Sequence, residues 1–596
     1  MSSRIVMVCL RLVDDKSWKE FMPSGVTKEL FNKFTRYYDE QVFIEAGKII
    51  RRRVKQLDKM DPLERTEQLA TIFGTFRNPD KETVLTPWRV VNLQLGKTIG
   101  GLSFFDDQFK DTTTDGVSAN HWIDTEYTKQ VFKRNTKILE INSKTGLYPL
   151  YAAMSLYWQD YQKLIDETAG KFSAEDELMI WQRVLRENIF VVAKTHMSAQ
   201  ITKRTLIGYQ QEMAEDLNIE FVDNIVADTK KSVKDEAEKI KGLFNLMKFD
   251  VVIGNPPYQD ETKGDNDTFR APIYNDFMDL SENLSNLVTL ITPARFLFSA
   301  GSTPREWNKK MMNSHHFKIV EYFPDSSKVF PGIDIKGGVV ITCYDSDNEI
   351  QSIDEKYSPA GIYIPFSELN SIMHKVVTDD FESFSKIVYP RTIYSFTQLM
   401  HDDHPDAASK LSKGHAFDVS SNIFDRLPEL FFDEKPTDGE EYIQLVGRKK
   451  SSRISKYILS KYIQKTENLN KYKVFVPAAN GSGSLGESLS TPMIGTPMIG
   501  TTETFMSIGS FDTLDEATAL DKYVKSKFLR VMLGILKITQ HNPVATWKLI
   551  PMQDFTSNSD IDWTKSISEI DQQMYKKYRL SNDEINFIET KVQAMD

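Results

Sequence analysis

A chain of 596 residues that is 40% hydrophobic carries enough apolar material for two or three cores, which excludes a single small fold. A formal charge of −10 excludes a uniformly basic coat, so contact with a polyanion has to come from a local cationic surface. Two cysteines, Cys9 and Cys343, exclude a disulfide framework and a cysteine-built zinc centre and fit a reducing cytoplasm.

The apolar stretch Ile5 to Leu10 ends at Arg11, too short for a membrane span, so no membrane partner is expected. From Leu30 to Leu57 apolar residues recur at three- and four-residue steps, the spacing of a long amphipathic helix. Arg51, Arg52 and Arg53 on that helix read as a solvated face. Residues 1–83 are expected to form a helical N-terminal region.

Between residues 84 and 372, β-rich runs alternate with helical stretches: Lys137 to Ile141, Asn188 to Val192, Ile225 to Ala227, Phe249 to Ile253, Leu287 to Ile291 and Val339 to Tyr344. Strands separated by helices predict an α/β domain with a doubly wound, Rossmann-like sheet, whose ligands bind at the carboxyl ends of the strands. Gly96-Lys97-Thr98 lacks the earlier glycine of a phosphate loop. Gly481 to Gly486 fits a dinucleotide pattern but opens no amphipathic helix. His315-His316 and His401, His404 and His415 have no partners at ligand spacing, so no metal is expected.

Residues 373–596 predict an α+β domain ending in helices, with a buried helix over Leu520 to Leu536. Its basic segment, Arg448, Lys449, Lys450, Arg453 and Lys456, is interleaved with tyrosines and predicts DNA contact. The pentapeptide Thr491 to Gly495 repeats at once as Thr496 to Gly500 and reads as a loop duplication.

The strongest chemical signal follows the strand Phe249 to Ile253: Gly254-Asn255-Pro256-Pro257-Tyr258. An exocyclic amino group conjugated to a purine is a poor nucleophile, and two hydrogen-bond acceptors are needed to draw its lone pair out of the ring. The Asn255 side chain supplies one and the Pro256 carbonyl the other. Consecutive prolines fix the backbone and offer no competing N–H. Tyr258 offers a ring face for a base, and the polar stretch Gln259 to Arg270 reads as a segment able to close over it.

These residues resemble the gamma-class, TaqI-like adenine-N6 DNA methyltransferases of restriction-modification systems, from about Thr83 to the C-terminus. The resemblance implies S-adenosylmethionine as methyl donor, double-stranded DNA as partner, base flipping, and a C-terminal target-recognition domain with DNA held between it and the catalytic domain. It implies Thr86, Glu140, Gly146 and Asp228 as cofactor residues, Asn255, Pro256, Pro257 and Tyr258 as catalytic residues, and Tyr258 and Phe330 as the pair that stacks the target base. A separate nuclease or helicase subunit is an open partner. Two positions depart from the family's pattern: Lys144 replaces the first glycine of the cofactor loop, and Lys194 stands where a ribose-binding acid is expected. Alternative readings are a cofactor-deficient DNA-binding subunit of a defence complex, and a methyltransferase acting on RNA or protein glutamine.

Overall fold

The computed structural model describes residues 27, 29–30, 40–75, 84–210, 216–260, 271–298, 302–350, 363–449, 452–481, 483–487 and 489–595. Lys450, Thr83 and most of the segment expected to close over a base, 261–270, lie outside the described residues. Two units divide the chain, Met1–Asp354 and Glu355–Asp596.

The first unit is built on a seven-stranded sheet. In chain order its strands are β1 (Ile138–Ser143), β2 (Ile189–Ala193), β3 (Asn218–Phe221), β4 (Phe249–Gly254), β5 (Ser285–Pro293), β6 (Phe317–Phe323) and β7 (Val339–Asp345). They lie side by side as β6-β7-β5-β4-β1-β2-β3. The pairs β1/β2, β1/β4, β2/β3 and β4/β5 are parallel, while β7 runs antiparallel to both β5 and β6. This is the doubly wound order with one antiparallel strand inserted before the last. β1 and β2 are buried along their whole length, as strands covered on both faces must be; β2 reads in the sequence as a continuous apolar run, whereas β1 buries Glu140, Asn142 and Ser143 among its apolar residues.

The strand expected at Ile225 to Ala227 is instead a helix, Ile225–Lys231, and β3 lies just upstream of it. Asn224 adopts a left-handed conformation, φ 57°, and turns the chain away from the sheet. Thr229 Oγ1 then donates to the Ile225 carbonyl and closes the first turn. The β-branched pair Ile225-Val226 mimicked a strand in the sequence. β6, only half-buried, escaped notice for want of a strong apolar run.

Helix α1 (Glu40–Leu57) is followed by α2 (Pro62–Gly74), which Asp61 caps by accepting from the N–H groups of Leu63 and Glu64. Leu57 and Leu69 belong to the same core as Val191 and Val251, so these helices are part of the sheet unit rather than a separate body. Helix α3 (Trp88–Thr98), α4 (Leu147–Thr168), α5 (Ala174–Glu187) and α6 (His196–Ile207) follow and contribute Val91, Leu150, Val184 and Leu206 to the same core.

The second unit begins at Glu355, and Leu369, Ile372 and Met373 are buried in its core, so the boundary expected at 372/373 falls within it. It holds one four-stranded and one three-stranded sheet. The expected helix over Leu520 to Leu536 is two helices, Leu514–Lys525 and Lys527–Leu536, broken where Ser526 turns extended and caps the second by accepting from Leu529 N–H. The tandem pentapeptide is not a loop. Met493–Gly495 pairs with Tyr472–Pro477 in one sheet, and Ile499–Thr501 pairs in parallel with Tyr442–Lys449 in the other.

Candidate active site at the carboxyl ends of the central strands

Gly254 ends β4 with φ 147°, and a Cβ there would lie 2.8 Å from the Ile141 carbonyl of β1. Only glycine permits that approach and that backbone, and the chain leaves the strand directly into Asn255. Asn255 is 3% exposed, and its Nδ2 donates to Thr86 Oγ1 at 3.0 Å. Its Oδ1 is buried without a hydrogen-bond partner. Among the described residues no donor reaches the Pro256 carbonyl either. Two acceptor oxygens therefore stand unengaged side by side in the chain, where a buried acceptor is ordinarily satisfied.

The backbone of the motif is held from below. The Asn255 carbonyl accepts from Asn142 Nδ2 at 2.9 Å, within β1, and from Lys144 Nζ at 3.2 Å, just past the strand's end. Gln94, wholly buried on α3, donates through Nε2 to the carbonyls of Gly254 at 3.3 Å and Thr289 at 3.1 Å. Tyr148 Oη in turn donates to Gln94 Oε1 at 2.5 Å. Burial holds the Tyr148 and Tyr258 hydroxyls above their usual range, so both act as donors rather than bases. Gln94 and Asn142 were not singled out in the sequence. The signal was present for Gln94, a polar residue set between Leu93 and Leu95 on a helix buried almost all round.

Glu140 lies in β1, 4% exposed, with Oε2 unpartnered. Burial pushes its carboxyl up to about 8, with Ser143 and Lys144 acting the other way. It is thus largely protonated at neutral pH. Gly146 (φ 77°) opens α4, and a Cβ there would lie 2.9 Å from Thr202 Cα, so the glycine is required by the packing of the loop on α6. Thr205 Oγ1 fastens the same loop by donating to the Thr145 carbonyl at 2.6 Å.

A cavity of about 650 Å³ brings together Thr86, Thr145 and Leu147 with Phe330, Pro331 and residues of α2, among them Glu67, Thr71 and Phe73. Thr86 and Phe330 thus share one space, although Phe330 makes no ring contact with Tyr258, which is half-buried and turns its hydroxyl toward the Ile291 carbonyl. Asp228 is not at a strand end: it lies in the helix Ile225–Lys231, paired with Lys239 at 2.9 Å. The acid just past the carboxyl end of β3 is Asp223, which the misread strand concealed. Lys194 follows β2 and its N–H donates to the Ser143 carbonyl at 2.9 Å.

In the second unit, Arg448 and Lys449 end one strand of a hairpin and Arg453 lies on the other, with Arg448 directly opposite Arg453. All three are exposed. Lys456 pairs with Asp433 at 2.7 Å, and the Arg453 guanidinium donates to the Thr491 carbonyl at 2.9 Å while lying over the Phe505 ring. Lys449 pairs with Asp425 at 3.5 Å, and the like charges of Arg448 and Arg453, directly opposed across the hairpin, cost it stability.

Fold and site together define an α/β protein with an amino-methyltransferase motif at its strand ends, and residues 187–330, from β2 through the motif to Phe330, match the family model for Eco57I restriction-modification methylases. An uncharacterized adenine-specific methylase of Mycoplasma pneumoniae is 28% identical over 164 residues, covering 27% of this chain and 38% of the relative. The type ISP restriction-modification enzyme LlaGI, solved with a DNA substrate mimic, aligns with 99% of this chain and 56% of its own at 10% identity and a TM-score of 0.41. The type IIL enzyme MmeI, solved in complex with DNA, aligns with 78% of this chain and 73% of its own at 10% identity and a TM-score of 0.38. This chain spans well under two thirds of the length of the methylase and of LlaGI. Among the described residues no helix is long and apolar enough to cross a membrane.

Proposed function

We propose that this protein is an adenine-specific DNA methyltransferase of a restriction-modification system that uses S-adenosylmethionine. The observation that carries the reading is the state of Asn255: its N–H is tied to Thr86, which leaves Oδ1 as a buried, unengaged acceptor. A flipped adenine placed there donates its two amino protons to Asn255 Oδ1 and the Pro256 carbonyl, which pulls the nitrogen lone pair out of conjugation and toward the methyl donor. Tyr258 and Phe330 are the rings proposed to flank the base.

The residues present fit the cofactor. The cavity beside Thr86, Thr145 and Leu147 is large enough for a nucleoside joined to an amino acid, and Glu140, outside that cavity's lining, keeps one carboxyl oxygen, Oε2, without a partner. Thr86, Glu140 and Gly146 are the residues proposed to hold it, with Asp223 rather than Asp228 at the adenine end. S-adenosylmethionine, when bound, would supply a sulfonium methyl, its S–C bond pair going to sulfur as the N–C bond forms and one amino proton passing to water. The protein's own contribution is alignment of the amino group and exclusion of water. Sequence choice is assigned to the second unit, with Arg448, Lys449 and Arg453 on the backbone of the duplex.

Incubating the full chain with mixed-sequence duplex DNA and labelled cofactor, followed by mass spectrometry of the nucleosides, tests this. N6-methyladenine is expected, reduced by about a hundredfold or more in Asn255→Ala. N4-methylcytosine, or label found only in RNA or protein, overturns it.

A further inference from the structure

Helix α1 carries a feature that the catalytic site does not use. Lys48, Arg51, Arg52, Lys55 and Lys59 recur at three- and four-residue steps, which places them along one side of the helix and its final turn. All five are exposed among the described residues and line a shared shallow groove. From Lys48 to Lys59 the chain has six cations and one acid, Asp58, and that acid turns inward to accept from Tyr209 N–H at 2.9 Å. Glu45 pairs with Lys48 at 2.9 Å and leaves the stripe strongly positive. Like charges four residues apart, Lys48 with Arg52 and Arg51 with Lys55, oppose helix formation, so the stripe is not there for stability.

The helix is not a loose appendage. Arg65 at the start of α2 donates to the carbonyls of Thr205 at 2.8 Å and Arg204 at 3.1 Å, at the last turn of α6, and Gln210 Nε2 donates to the Asp58 carbonyl at 2.8 Å. Lys55 Nζ lies 5.7 Å over the Tyr209 ring. The next helix, α2, lines the cavity that contains Thr86. A cationic stripe is thus held in fixed register one helix away from the proposed cofactor site.

We propose that this face of α1 is a second docking surface for duplex DNA, binding the phosphate backbone without reading sequence. The inference rests on the DNA-methyltransferase reading and adds a contact outside the second unit. Charge complementarity selects the partner: on a chain of net charge −10, a polyanion is attracted only where cations are concentrated. The stripe extends roughly 16 Å, along which a duplex presents about ten phosphate charges. The stretch from Lys48 to Lys59 contains no aromatic residue, whereas single-stranded nucleic acid is held by stacking its bases on aromatic rings. A duplex, whose bases are turned inward, needs only the cations.

The test measures binding of the full chain to a duplex lacking any methylation site, by fluorescence anisotropy over a series of salt concentrations. Replacing all five cations by Gln is expected to weaken binding by about tenfold or more at ~0.1 M salt and to reduce the salt slope of log K by about 3 to 4. The charge-retaining pair Arg51→Lys and Arg52→Lys is expected to bind as the unaltered protein does. If the fivefold variant fails to fold, Arg52→Gln with Lys55→Gln should reduce the slope by about 2. Unchanged affinity and slope in the Gln variants overturn the docking surface while leaving DNA methylation intact. Tighter binding of a single strand than of the duplex by this stripe also overturns it. Absence of both DNA binding and methylation in the unaltered protein instead sinks the underlying functional reading.

Discussion

Asn255 and Thr86, 169 residues apart in the chain, meet in a buried hydrogen bond of 3.0 Å from the asparagine Nδ2 to the threonine hydroxyl. The bond fixes which end of the carboxamide is left as the unengaged acceptor. Without it the amide can turn over and present N–H groups to a substrate amino group, donor against donor.

Thr86→Val keeps the shape of the side chain and removes the acceptor. We expect kcat for methylation to fall by roughly 30-fold with KM for DNA within about twofold, because the lost interaction orients a group that acts in the transition state. Thr86→Ser should restore most of the rate. Steady-state kinetics of the two variants separate orientation from packing, since a purely structural role would move thermal stability and leave the kcat of the folded fraction unchanged.

Gln94→Leu preserves volume but strands the Tyr148 hydroxyl and removes the donor shared by the Gly254 and Thr289 carbonyls. Leaving such groups buried and unpaired costs about 2–3 kcal/mol. The urea midpoint should fall accordingly. Combining it with Tyr148→Phe should cost less than the sum of the two single changes, because both lie in one network.

Glu140 gives a pH dependence with a definite sign. Its folded carboxyl titrates at about 8 and its ordinary value is 4.5. Below pH 4.5 both folded and unfolded chains hold the proton and the group is neutral to stability. Between the two values the unfolded chain ionises while the folded one does not, so folding loses free energy as pH rises, by up to ~4 kcal/mol near pH 8. Glu140→Gln should therefore raise the denaturation midpoint more at pH 8 than at pH 5. Equal gains at both values would show that the carboxyl is not held protonated.

Gly254→Ala meets both a forbidden backbone conformation and the Ile141 carbonyl 2.8 Å away. The parallel pairing of β1 with β4 has to open to admit the methyl, which displaces Asn255. We expect a loss of about 2–4 kcal/mol in stability together with loss of methylation. A variant of normal stability and activity would refute the close approach.

How much of this was legible in the sequence differed from place to place for physical reasons. β2, β4 and β7 announced themselves through the apolar runs Ile189 to Ala193, Val251 to Ile253 and Val339 to Ile341, because strands buried on both faces have little polar side to show, whereas β1 and β5 bury Glu140, Asn142, Thr289 and Thr292 among their apolar residues. Ile225 to Ala227 misled because β-branching is shared by strands and by short half-exposed helices, and nothing local reports the left-handed turn at Asn224. The tandem repeat misled in the opposite direction. Thr-Pro and Met-Ile-Gly look like turn material, yet the two copies pair with different strands, and Gly495, set against the Phe475 ring, admits no side chain there. The acceptor pair at Asn255 and Pro256 was readable from residue type alone. Its supporting shell was not, since Thr86, Gln94, Asn142 and Lys144 reach it from far along the chain.

Gly208 and Asp58 bear on the order in which the molecule assembles. A Cβ at Gly208 would fall 1.8 Å from Asp58 Oδ1, so the α1–α2 turn seats directly on the end of α6. The contacts that seat it join residues 139 to 152 positions apart, and α4, α5, β2 and α6 lie between. The seat does not exist until those elements have formed. We expect docking of α1 and α2 to be a late, high-contact-order step, with their amides the first among this unit's described helices to exchange with solvent deuterium.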